Sequence, residues 1–227
     1  MLSIARRCVP FTPFEKELAT ATVTLISAAG VYLDDQEAFP TEDPGDVSYR
    51  IIPGETDVSR LRIAHHHYDH SEADGDPNIV FPLETLRGLV TDGVIAAVND
   101  KHYSYGFTTR LRELYESTFP EIADAIERSK TKLVVATAGC PETCHRTIAT
   151  LAREIEARGI PTIVISASPA ATESVRPPRA MTWSGAAIGR VVGSAGDREH
   201  HKQVVRAALQ MFTHVTPPGR VVMTTVR

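Results

Sequence analysis

Two cysteines four residues apart, Cys140 and Cys144, stand where an apolar run gives way to a helical pattern, in the segment AGCPETCHRT. Positions i and i+4 share one face of a helix, so both sulfurs can point the same way. Cys140 falls at or just before the first helical turn. There the unpaired N–H groups and the helix dipole favour a thiolate over a thiol. Gly139 would let the backbone turn sharply and let a substrate approach. His145 could act as an acid–base or orienting group. These are the parts of an activated nucleophile with a resolving thiol beside it. Two other readings fit the same residues: buried cysteines that only pack, and a metal or cluster site. A third cysteine three residues on would favour an iron–sulfur cluster, but position 147 is threonine.

A second group of donors lies in AHHHYDH, residues 64–70, directly after an apolar run. On an extended chain His65 and His67 point to one side. Asp69 and His70 add two more metal-capable side chains, and imidazole with carboxylate suits zinc, copper, iron or nickel. His65, His67, Asp69 and His70 are therefore the candidate metal ligands. The plainer alternative is that one or two of them bond to backbone while the others are solvated. Gly30 follows another apolar run, TLISAAG, and His102, Ser104 and Gly106 follow a third. If these runs are parallel strands, Gly30, His65 and Cys140 share the edge on which open parallel sheets bind ligands. Asp74, Asp76 and Asn78 read as an Asx-turn. The glycines 185, 189, 193 and 196 form a loose loop and match no dinucleotide fingerprint. Cys8 has no activating neighbours.

The elements that must hold these residues are short, continuous apolar runs. They are residues 22–27 (TVTLIS), 61–65 (LRIAH), 94–98 (VIAAV), 132–137 (KLVVAT) and 162–166 (TIVIS), with a weaker one at 180–184. Such runs are expected of parallel strands buried on both faces. Helical stripes lie between them: Leu83, Leu86, Leu89 and Val90; then Leu111, Leu114, Ile122 and Ile126, broken before Pro120; then residues 141–158, stopped by Gly159. A last helix covers residues 200–212. Strands alternating with helices give an α/β fold, a mostly parallel sheet with flanking helices. The likeness of TLISAAG to VVATAG hints at two similar facing halves, about 1–110 and 111–227, within one domain. Residues 34–57 read as a long loop that could cover a site. The tail from 216 reads as a strand or as an arm packing on a partner chain.

Length and composition set the outer bounds. The chain has 227 residues, 42% of them hydrophobic, a net charge of −4 and a pI near 6.1. A chain of this size buries roughly 70% of its unfolded surface. Basic residues are scattered, so neither nucleic acid nor a membrane surface is the expected partner. No apolar stretch approaches the ~18 residues of a membrane span. The segment MLSIARRCVPFTPF lacks the apolar core of a signal peptide. Three cysteines do not make a disulfide framework, which points to a reducing, cytoplasmic setting.

Several segments taken together resemble the selenoprotein B family of glycine, sarcosine, betaine and D-proline reductases, particularly its cysteine-containing relatives. They are TLISAAGVYL, DVSYRIIP, IAHHHYDHSEADGDPNIVFPLETLRGLVTDGVI, KHYSYG, CPETCHRTIATLAREIEARGIPTIVIS and PPRA, in order over about residues 23–209. The resemblance implies reductive cleavage of a C–N bond. A selenocysteine or cysteine attacks the carbon bearing the amine, and a pyruvoyl group on a partner subunit activates that amine. By resemblance Cys140 takes the attacking position and Cys144 the second thiol. His145 and Thr147 match the segment that follows. This chain has no selenocysteine, and its pair is spaced CxxxC where a tighter CxxC-like spacing is expected.

The leading expectation is a thiol-dependent oxidoreductase acting on a small amine- or carboxylate-bearing substrate. Gly30, Gly139, His102, Ser104 and Thr147 are its candidate substrate contacts. A partner reductase subunit or a thiol electron donor, and a homo-oligomer, are the expected associations. The rivals are a metal-dependent enzyme using residues 65–70, with or without the cysteines, and a non-catalytic subunit that binds a reductase.

Overall fold

The computed structural model describes residues 8–214 and 216–226. The first seven residues of the N-terminal segment read above lie outside the described residues. The core is an eight-stranded sheet built on β1 (Thr22–Ala28), β3 (Tyr49–Pro53), β5 (Ala97–Val98), β6 (Lys101–Tyr105), β7 (Leu133–Ala138), β8 (Thr162–Ile165), β9 (Ala180–Trp183) and β10 (Val221–Thr224). Its order is β10-β9-β8-β7-β1-β6-β3, with β5 also paired to β1. All of these pairs are parallel except β3 with β6. Strands β5 and β6 pair successive parts of β1, Val98 beside Val23 and Tyr103 beside Ile26. A two-stranded antiparallel sheet, β2 (Val31–Leu33) with β4 (Leu61–Ile63), stands apart.

Every residue of β7 and β8 is buried. That explains their unbroken apolar character: helices cover the sheet, so neither face tolerates charge. The helices are α1 (Ser71–Gly75), α2 (Leu83–Thr91), α3 (Phe119–Glu127), α4 (Thr143–Glu156), α5 (Pro169–Ser174) and α6 (Arg198–Gln210). α4 packs on β7 and β8 between α3 and α5, while α2 packs on α6. The chain does not break before Pro120. It stays helical from Leu111 through a wide π turn, Leu114–Thr118, into α3. A proline donates no N–H to the preceding turn, and a widened turn accommodates that loss. Gly159, at φ 82°, ends the reach of α4 as its place in the sequence implies.

Three expectations change. Residues 34–57 are not one long loop: β3 lies within them, paired to β6, and Gly45 bridges Thr108. β3 is a half-exposed edge strand and so lacks an apolar run. The 61–65 run ends as a strand at Ile63 and joins the small sheet. The two similar segments are neighbours, β1 beside β7 from Val23–Leu133 to Ala28–Ala138, within one sheet. Residues 221–224 form the edge strand β10. A buried ion pair, Arg179 to Glu156 at 2.6 Å, anchors Thr12 through its N–H to Glu156 Oε1 at 2.6 Å. Among the described residues no helix is long and apolar enough to cross a membrane.

Candidate functional site

The site forms where β1, β4 and β7 end. Gly30, just beyond β1, has φ 72°, and a Cβ there would sit 2.3 Å from the carbonyl oxygen of Ala64. Only glycine allows that approach. Ala64 N–H donates to Gly30 O at 2.9 Å, and Gly30 N–H donates to Tyr105 O at 3.1 Å. The exit of β4 is thereby laid against the exits of β1 and β6. The next residue, His65, turns inward toward the end of β7 and is 3% exposed.

Cys140 follows β7, and Cys144 is the second residue of α4. Both are free cysteines, 2% and 1% exposed. Their sulfurs are 2.7 Å apart, in contact but longer than the ~2.05 Å of a disulfide bond. The backbone N–H of Cys144 donates to Cys140 Sγ at 3.1 Å. α4 has no side-chain oxygen cap, since Glu142 makes no capping bond. The sulfur of Cys140 therefore satisfies an open N–H of the first turn. His65 Nε2 lies 3.2 Å from Cys144 Sγ, and His67 N–H donates to His65 Nδ1 at 3.1 Å.

The two thiols are unlike. The hydrogen bond from Cys144 brings Cys140 down to about 4, against the opposing effect of burial, and His65 and the Cys144 N–H lower it further. Burial first, then the adjacent Cys140, pushes Cys144 well above the ordinary thiol value. These opposite shifts favour negative charge on Cys140 and the proton on Cys144. Burial lowers His65, against the opposing influence of Cys140, and so favours its neutral form.

Tyr68 closes the site from one side. Its hydroxyl donates to Ala29 O at 3.0 Å, and its ring meets the His65 ring edge-on at 4.7 Å. The space over Gly139 is taken by this ring, since a Cβ there would lie 2.3 Å from Tyr68 Cε1. Gly139 thus gives room to a tyrosine and not to an open approach. His145 lies on α4 with both ring nitrogens engaged by backbone. Nδ1–H donates to Cys140 O at 2.6 Å, and Nε2 accepts from Ala167 N–H at 3.0 Å. It ties the turn after β7 to the segment after β8. Thr147 Oγ1 donates to Cys144 O and accepts from the Tyr105 hydroxyl, each at 3.2 Å.

The other sequence candidates disperse. His102 and Ser104 are in β6 itself, both fully buried, with no polar surface at the sheet edge. His102 Nδ1 accepts from Leu25 N–H, and Ser104 Oγ accepts from Val31 N–H, both at 2.9 Å. Burial holds His102 at about 3, so it is neutral. Asp69 Oδ1 accepts from Ser71 N–H at the start of α1, and His70 pairs with Asp74 at 2.9 Å. His67 stacks on Phe107, centroids 3.5 Å apart, and reaches Asp43 at 3.3 Å. His65, His67, Asp69 and His70 do not converge, because regular strand geometry stops at Ile63 and side-chain alternation stops with it. Among the described residues two other groups do: His65 with Cys140 and Cys144, buried, and Asp43 with His66 and His67, at the surface. In each, the donor atoms lie within 4.8 Å of one another, so the buried group could bind a metal ion. The sequence set His65 and Cys140 on one edge, but the contact of His65 with Cys144 and the packing of Tyr68 on Gly139 were not legible in it. Both join segments more than 70 residues apart.

No family model matches the chain, and no solved structure does. The chain is 32% identical over 213 residues to the D-proline reductase subunit gamma of Acetoanaerobium sticklandii, covering 93% of this chain and 86% of that protein. It is 27% identical over 158 residues to the betaine reductase complex component B subunit beta of Peptoclostridium acidaminophilum, covering 65% of this chain and 34% of that one. It is also 27% identical over 161 residues to the glycine reductase complex component B subunit gamma of Symbiobacterium thermophilum, covering 68% and 37%. The match therefore spans about a third of the length of the betaine and glycine reductase subunits.

Proposed function

Because the chain belongs to the family of amino-acid reductase complex subunits that includes D-proline reductase gamma and the component B subunits of glycine and betaine reductases, we propose that it is the thiol-bearing subunit of such a complex. Its substrate is a small molecule bearing an amine and a carboxylate, and its reaction is reductive C–N cleavage. The Cys140 thiolate attacks the carbon bearing the amine. A C–S bond forms, the C–N bond breaks, and the amine leaves with the bonding pair and takes a proton. Cys144, once deprotonated, attacks Cys140 sulfur. The S–S bond forms, and the C–S pair returns to carbon, which is protonated. Two thiols become one disulfide, and the C–N bond becomes a C–H bond and a free amine. A thiol electron donor restores the pair.

The resemblance implies a pyruvoyl group on a partner subunit, which supplies activation of the amine when present. The residues of this chain perform the sulfur chemistry. Cys140 is the nucleophile and Cys144 the resolving thiol. His145 holds the Cys140 carbonyl in place. Gly30, Gly139 and Thr147 shape the packing around the sulfurs. His102 and Ser104 serve the sheet interior.

The observation that carries this reading is the Cys140 sulfur, which accepts the Cys144 N–H at 3.1 Å with a second thiol at 2.7 Å. The test is alkylation of Cys140→Ser and Cys144→Ser across a pH series. Disulfide mapping of the wild type after mild oxidation completes it. The protein retaining Cys140 should react faster at low pH, and oxidation should join Cys140 to Cys144. Faster reaction of the protein retaining Cys144 reverses the roles. If neither thiol reacts in the native state, the cysteines are structural and the proposal fails.

A further inference from the structure

The thiol reading needs a substrate carbon within reacting distance of the Cys140 sulfur, about 3–3.5 Å. Both cysteines are buried, so one wall of their site must move. The inner walls are β7, buried at every residue, and α4, tied by His145 to the segment after β8 and by Thr147 to the Tyr105 hydroxyl. The outer wall is Tyr68. At 8% exposure it borders solvent, while His65 beside it is at 3%. The Tyr68 ring fills a slot between two glycines. A Cβ on Gly139 would lie 2.3 Å from its Cε1, and one on Gly189 would lie 3.4 Å from Cδ2 and 3.7 Å from Cε2. These contacts are on opposite edges of the ring, and neither glycine has a side chain to interlock with it. The Tyr68 hydroxyl makes one hydrogen bond, to Ala29 O at 3.0 Å. Residues 64–70 form neither strand nor helix, and the ties of His67 to Asp43 and of His70 to Asp74 are at the surface. Gly189 lies in the segment 184–197, which has an isolated bridge from Ala187 to Arg190 and no strand or helix. The ion pair of this segment with α1, Arg190 to Glu72 at 3.7 Å, is exposed and of the kind that holds weakly. Regular elements hold the sulfurs, and irregular chain carries the ring that covers them.

We propose that Tyr68 is a gate over the thiol pair. Its ring leaves the slot between Gly139 and Gly189, Cys140 becomes reachable, and the vacated slot takes the reacting carbon of the substrate. This deepens the thiol reading and rests on it. A slot one aromatic ring across, walled by two glycine backbones, admits a compact amine- or carboxylate-bearing molecule and excludes a peptide or a nucleotide. Glycine at both positions keeps the walls bare, so the same space serves the ring when shut and the substrate when open.

Two measurements on the full chain test this. The first is the rate of Cys140 alkylation by iodoacetamide, read by peptide mass spectrometry in wild type, Tyr68→Phe and Tyr68→Ala. A covered thiol reacts in proportion to the population of its open form. The rate should rise about fivefold in Tyr68→Phe, the factor set by one lost hydrogen bond, and by more than about tenfold in Tyr68→Ala. In Tyr68→Phe the whole pH profile should rise without moving its midpoint, since a gate changes how often the sulfur is reached and not its acidity. Hydrogen exchange of β7 and β8 amides is followed on the same samples and should be unchanged. A rate in Tyr68→Ala equal to wild type overturns the gate, as does a loss of β7 and β8 protection that matches the gain in rate. The second measurement needs no variant to fold. Alkylation of wild-type Cys140 places a carbamoylmethyl group at the sulfur, which should hold the ring out of the slot. Carbon-13 NMR of ring-labelled tyrosine with a soluble relaxation agent should then show Tyr68 exposed, and buried before alkylation. A Tyr68 ring that stays buried after Cys140 is alkylated overturns the proposal. If Cys140 is inert in the wild type, the thiol reading fails. A rise in Tyr68→Ala then still identifies the ring as the cover, and no rise removes the gate as well.

Discussion

Gly139→Ala isolates the contact that closes the site. The added Cβ would lie 2.3 Å from Tyr68 Cε1, 2.8 Å from Cζ and 2.9 Å from Cδ1. Carbon atoms pack at about 3.5–4.0 Å, so the ring must retreat by about 1 Å. Tyr68 is buried, and its hydroxyl is bonded to Ala29 O. Overfilling a packed interior costs about 1–3 kcal/mol, and loss of one hydrogen bond adds about 1 kcal/mol. The expected destabilisation is therefore about 2–4 kcal/mol, or roughly 4–16 °C in Tm for a chain of this length. Gly139 is not among the residues with positive φ. Without the ring, alanine should be neutral or even stabilise by about 0.4–1 kcal/mol. The assay is urea unfolding of Gly139→Ala in the wild-type and Tyr68→Ala backgrounds, analysed as a double-mutant cycle. The penalty should vanish in the second background. A cost below about 1 kcal/mol in the wild type, or an equal cost in both backgrounds, refutes the steric argument.

Other outcomes follow from the same geometry. Cys140 alkylation should hold its rate from neutral pH down to about 5 and fall as pH drops through about 4; Cys144→Ala, which removes the main bond to the thiolate, should move the fall to higher pH. Because the folded value lies below the unfolded one, Cys140 contributes stability that is complete above about 8.5 and lost as pH falls toward about 4. Denaturation curves of Cys140→Ser should lack that dependence. His102, held at about 3 by burial, contributes stability that is present above its unfolded value near 6.5 and lost as pH falls toward 3. His102→Phe should flatten that acid loss while costing about 1–3 kcal/mol for the unpaired Leu25 N–H, measured by unfolding at several pH values. Asp69→Ala removes only its exposed bond from Ser71 N–H and should leave metal content and thiol reactivity unchanged, as elemental analysis and alkylation read them.

The sequence by itself determined what depends on near neighbours. β1, β7 and β8 were readable because each is a continuous buried run. The thiol pair was readable because an i, i+4 spacing at a strand-to-helix turn is local geometry. Strands β3 and β6 were not. One is a half-exposed edge, and the other carries His102 and Ser104, whose polarity is absorbed by backbone N–H groups of β1 and β2 that no periodicity reveals. The sequence put His65 and Cys140 on one edge, and the tertiary structure decided that His65 reaches Cys144. His65, His67, Asp69 and His70 are donors of similar chemistry in one short stretch. The close approach of Ala64 to Gly30 turns His65 inward to Cys144, 79 residues away in the chain, while Asp69 accepts from Ser71 N–H and His70 pairs with Asp74. A side chain's chemistry is written in its residue type. Its partner is set by where the backbone turns after the strand ends, and that turn is fixed by packing between distant segments.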